Sequence, residues 1–213
     1  MINIHFLDID EYQFKQSERA LVTKILNESE PNVRKLLPSL ANRLNVTVYP
    51  TQNVIPETGE TGRTPNKSYI QWAVDPWDER GIEAIIRKEL RKTFYHEANH
   101  AARMQKVAWH GTIIADAIFE GLGTAFERDY AKSLSPWGDY DEAAIASWTD
   151  ELLALNSKLE NRQQWFFDHP DGRRWIAYKV GTYVVDQAIK HSDETSATMV
   201  NLPAGEILKL AKV

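Results

Sequence analysis

GIEAIIRKELRKTFYHEANHAARM, residues 81–104, contains no proline, has one glycine at its first position and is rich in helix-favouring residues, so it reads as a single long helix. Within it His96 and His100 stand four residues apart, on one helical face, with Glu97 beside the first. The pattern is H-E-x-x-H. Its spacing lets two imidazoles converge on one cation, and it sets a carboxylate where it can take a proton from water activated by that cation. The plain alternative is a helix that turns three polar side chains to solvent.

Two histidines do not complete a catalytic zinc site, which takes three protein ligands and keeps a position open. The chain has no cysteine, so a third ligand must be histidine or carboxylate, and disulfides and thiol nucleophiles are excluded. His110 lacks the spacing of a metzincin third histidine. IIADAIFEGLGTAFERDY offers Glu120 instead, twenty residues beyond His100 on a second helical pattern. Glu120 is the expected third ligand. Asp116, one turn earlier, is expected either to orient a ligand histidine or to replace Glu120, and Glu127 is a further alternative. Gly121, Gly123 and Ala125 are expected to let this helix approach the first one closely.

Outward from these helices the patterns change. INIHFLD alternates Ile2, Ile4 and Phe6 and suits a half-buried strand. Residues 14–28 and 31–44 carry apolar side chains at helical spacing, with Pro31 placed to begin the second of two helices. NVTVYP, 45–50, and SYIQWAV, 68–74, read as strands. Between them, residues 51–67 are rich in turn formers and read as an exposed loop. Asp75 or Asp78 is available to cap the HEANH helix, expected over 80–107. Further helices are expected at 112–132, 140–166, 173–191 and 203–211. The fold class is α+β: a small strand-containing N-terminal layer followed by a helical C-terminal half, in one domain over residues 1–213.

Composition bounds the partners. A net charge of -5 over 213 residues, with dispersed basic side chains, argues against a nucleic-acid binder. No apolar run approaches the roughly 20 residues needed to span a bilayer. The opening residues lack the marks of an export signal, so a soluble cytoplasmic protein is expected.

HEANH, EGLGTAF, WIAYKVGTYVV and the terminal LPAGEILKL together resemble a bacterial family of predicted zinc-dependent proteases of uncharacterised function, similar in site layout to the gluzincins. The resemblance spans about residues 66–211, and HEANH with EGL is its specific part. It implies zinc held by His96, His100 and Glu120, with Glu97 as general base and a peptide or protein as substrate. Where the best-known gluzincins place an aspartate four residues after the glutamate ligand, this chain has Thr124. Tyr178 and Tyr183 are the candidates to stabilise a developing oxyanion, with His169 behind them. The strand at 68–74 takes the place of the edge strand that pairs with substrate in gluzincin-like folds. His5, His110 and His191 are expected to be structural or solvent-facing. A non-catalytic zinc-binding or stress-response module on the same fold, and hydrolysis of a non-peptide amide, are the competing readings.

Overall fold

The structure, a computed structural model, describes residues 1–108, 111–155 and 162–213. The chain divides into two compact units, Met1–Gln105 and Lys106–Val213. The α+β expectation holds: a four-stranded mixed sheet lies in the first unit, and helices make up the second.

The sheet begins with β1 (Ile2–Phe6), whose polypeptide returns through α1 (Gln16–Leu36) to β2 (Leu44–Pro50). Parallel neighbours need such a crossover, and β1 pairs with β2 from Ile2 opposite Leu44 to Phe6 opposite Val48. α1 is one helix where two were expected. Pro31 lies inside it, and the helix runs through because Val22, Leu26 and Val33 form one buried stripe on both sides of the proline. The backbone N–H of Lys15 donates to the Glu18 carboxylate at 2.8 Å and secures its first turn. Leu44, expected at the end of a helix, is the first residue of β2.

Residues 51–67 are not one loop: Glu60–Asn66 form β3, antiparallel to β4 (Tyr69–Val74). The strand order is β1-β2-β4-β3, which sets β4 inside the sheet and β3 at its edge. This corrects the expectation that the strand at 68–74 is the edge. Pro65 is tolerated because β3 is an edge strand and its register shifts between Arg63 and Asn66. Leu26 of α1 meets Val46, Ile70 and Trp72 of the sheet around a shared interior space, so α1 covers the sheet face that these three residues line.

α2 (Ile82–Arg103) packs on the same sheet face, contributing Leu90 and Phe94 to that space. Neither expected aspartate caps it. Gly81, at φ +81°, precedes the helix, while Asp75 and Asp78 accept backbone bonds from Trp77 and Arg80 in the turns before it. No helix among the described residues is long and apolar enough to cross a membrane.

In the second unit α3 (Ile113–Phe126) is capped by the Thr112 hydroxyl, which accepts from the Ala115 N–H, and it continues into a π-helical turn, Glu127–Ala131. α4 (Glu142–Ala154) stops earlier than expected, since Leu155 is already extended at ψ 113°, and α5 (Arg162–Phe166) is a separate short helix. α6 (Ile176–Lys190) and α7 (Ala204–Ala211) follow. Ile118 and Leu122 of α3, Val180 and Val184 of α6, and Ile207 of α7 share one core. α3 and α6 meet backbone to backbone: a Cβ on Gly121 would overlap Gly181, and a Cβ on Gly181 would overlap the Ala117 carbonyl.

Candidate metal centre

Every residue of α2 from Lys92 to Arg103 is buried, polar ones included. His96 and Glu97 are each 6% exposed and His100 4%, which rules out the solvated-face reading of HEANH. Ionisable groups are buried at a cost unless something engages them, so this stretch needs a chemical reason. The two imidazoles stack edge to face with centroids 4.5 Å apart, as the four-residue spacing requires.

His96, His100 and Glu120 form a group that can hold a metal ion: each offers one ligand atom, and these atoms lie within 4.8 Å of one another. Donors around a shared tetrahedral ion with bonds near 2.1 Å sit about 3.4 Å apart, so the spacing is within reach of one coordination sphere. Two imidazoles and a carboxylate, in a chain without cysteine, are a donor set that suits zinc. Asp116 accepts from Arg162 Nε at 3.0 Å, and Glu127 accepts from the Ser135 hydroxyl. Thr124, one turn beyond Glu120, is fully buried, and its hydroxyl has no hydrogen-bond partner among the described residues.

The space that the missing side chain of Gly121 leaves is filled by Gly181 of α6.

Glu97 is held from β3. The Thr64 hydroxyl lies 2.6 Å from Glu97 Oε2 and 3.0 Å from the Glu97 carbonyl. A Cβ on Gly62 would stand 2.5 Å from Glu97 Oε1 and 2.5 Å from Thr93 Cγ2, so only glycine lets the strand lie this close. Two residues earlier on the same strand face, the Glu60 carboxylate accepts from Trp72 Nε1 at 2.7 Å and Thr93 Oγ1 at 3.0 Å. Burial pushes Glu60 up to about 7, with the nearby Glu89 carboxylate adding to the rise and the two hydrogen bonds and Lys92 opposing it.

Sequence reading misses Gly62, Thr64 and Glu60 because they fall in the segment taken for a loop. The available signal was their alternation, 60, 62, 64, which puts all three on one face of a strand.

Tyr178 and Tyr183 are both half-buried on α6. Tyr178 sits among Trp137, Phe166 and Trp175, with ring centroids 6.3, 5.7 and 5.9 Å away. Tyr183 packs edge to face on Tyr140 at 5.7 Å. His169 lies in a turn, with Nδ1 2.8 Å from Asp171 and its ring against Trp165. His5 and His191 are exposed, while Trp109 and His110 fall outside the described residues. Trp72 and Trp175 are buried, and Trp77 is half exposed.

A family model described as "Predicted Zn-dependent protease (DUF2268)" matches residues 22–209. No curated protein and no solved structure matches the chain.

Proposed function

The chain belongs to this family of predicted Zn-dependent proteases, and we propose that it hydrolyses peptide bonds at a zinc site formed by His96, His100 and Glu120, with Glu97 as general base. The observation that carries the reading is the complete burial of HEANH together with a carboxylate, Glu120, whose ligand atom lies within 4.8 Å of those of both histidines. Zinc bound there would supply Lewis acidity, polarising a carbonyl oxygen and making water a stronger acid.

The protein's own groups supply the rest. Glu97, beside a ligand histidine, accepts the proton from water and passes it to the departing amine. Tyr178 is the preferred stabiliser of the oxyanion. Counting 100° per residue, it lies about 60° around α6 from Gly181, on the face that meets α3 next to Glu120, whereas Tyr183 lies about 160° away from Gly181. An extended peptide is the fitting substrate form, because β3 is an edge strand and carries the contacts to Glu97 on its own residues.

The decisive experiment pairs metal analysis with Glu97→Gln. Wild-type protein is expected to take up one zinc per chain and to cleave members of a peptide library. The variant should keep its zinc and lose about a hundredfold to ten-thousandfold in turnover. Protein that takes up no zinc on reconstitution overturns the metal site. Unchanged turnover in the variant removes Glu97 from the chemistry, and stoichiometric zinc without any peptide cleavage favours the non-catalytic module.

A further inference from the structure

We propose that β3 is the element that aims the base: Thr64 is a positioning residue for Glu97, and Gly62 is the clearance that allows it. This rests on the reading of Glu97 as base.

A glutamate on a helix has three side-chain torsions, and nothing in H-E-x-x-H itself decides where the carboxylate points. Here the strand decides it. The Thr64 hydroxyl carries a single proton and faces two acceptors on Glu97, the carboxylate oxygen at 2.6 Å and the backbone carbonyl at 3.0 Å. The shorter bond is the stronger one, so the proton goes chiefly to Oε2. Threonine is β-branched and stiff at χ1, so the backbone of β3 fixes where its hydroxyl stands. Thr64 is 9% exposed, which limits competition from solvent for that proton.

Gly62 completes the arrangement from the other oxygen. Residues 62 and 64 share a strand face, and Oε1 occupies the volume that any side chain at 62 would need. One oxygen is bonded to Thr64 and the other stands in the space that glycine leaves at 62, so the strand bears on both oxygens. The Glu60 bond to Thr93 anchors the same strand face to α2 one helical turn before Glu97.

A purely structural role for Thr64, tying strand to helix, predicts loss of stability and nothing specific at Glu97. Three variants separate the two. Thr64→Val keeps the shape and removes the proton, Thr64→Ser keeps the proton, and Gly62→Ala fills the clearance. Each is examined for zinc content, for kcat and KM on a peptide the wild type cleaves, and by crystallography with and without zinc. Thr64→Val is expected to retain zinc and KM within about twofold while kcat falls roughly tenfold to a hundredfold, the scale of a misplacement of about 1 Å. Thr64→Ser should recover most of kcat. In Thr64→Val and Gly62→Ala crystals the Glu97 carboxylate should be displaced.

The proposal is overturned if Thr64→Val turns over like wild type, or if Glu97 keeps its place in that variant. Should Thr64→Val not fold, the serine and alanine variants decide by the same two criteria. The crystallographic arm needs no turnover, so a wild type that binds zinc and cleaves nothing sinks the peptidase reading and still leaves the positioning claim to be judged.

Discussion

In the first unit the proposed base, Glu97, is gripped directly by Thr64, and Thr93 one turn before it by Glu60, whereas in the second unit Glu120 rides on a helix fixed by backbone against backbone at Gly121 and Gly181. The first arrangement is directional and made of hydrogen bonds; the second is steric. The difference teaches where each is vulnerable. A bonded side chain loses its aim when one proton is removed, while a packed helix moves as a body when one methyl is added.

The largest effect is expected where packing has no slack. Gly181→Ala directs a methyl into the Ala117 carbonyl, and neither backbone can yield without shifting a helix. Overpacking of this kind should cost about 3 kcal/mol or more in a urea titration. Zinc affinity should fall with it, since Ala117 and Glu120 share α3. An unchanged midpoint would mean that α3 and α6 are not in backbone contact, and the comparison would break.

A second effect, similar in size but dependent on pH, tests the polar side. Glu60 holds its proton up to about 7 in the folded protein, whereas an unfolded glutamate releases it near 4.5. Between these values the folded state binds the extra proton, so stability falls as pH rises through the window and levels off above it. The shift corresponds to roughly 3 kcal/mol at 1.36 kcal/mol per unit. Glu60→Gln should flatten this profile, matching wild type or falling below it near pH 5 and exceeding it near pH 8. Parallel profiles for the two proteins would show that Glu60 titrates normally and that the strand face is wetter than described.

The smallest effect is expected from an ion pair whose basic partner reaches solvent. Arg162 is about two-fifths exposed where it pairs with Asp116. Arg162→Ala should cost less than about 1 kcal/mol, shrinking further in high salt. A larger loss would place Asp116 among the groups that hold the second unit together.

The legible parts of this molecule are those encoded locally. α2 shows in its helix formers and absent proline, and the His96, Glu97 and His100 pattern lies within five consecutive residues. Glu120 is a legible candidate because the motif leaves a third donor to be sought and a helical pattern downstream offers one. What escapes is formed by distant partners. β3 is built from Glu, Thr, Gly, Arg, Pro and Asn, residues with little strand preference between them apart from threonine, and it is a strand because β4 pairs with it and α2 lies against it. Thr64 and Glu97 are 33 residues apart, and no spacing rule links them. α1 passes through Pro31 because its buried stripe outweighs one missing backbone bond, a balance that a local reading decides the other way.

Pro65 and the register shift beside it also bear on solubility. A long, regular rim on a sheet invites copies of the same chain to zip together, and a residue without an N–H next to a kink interrupts such a zipper. The open border of this sheet is thus interrupted against pairing with further copies of itself.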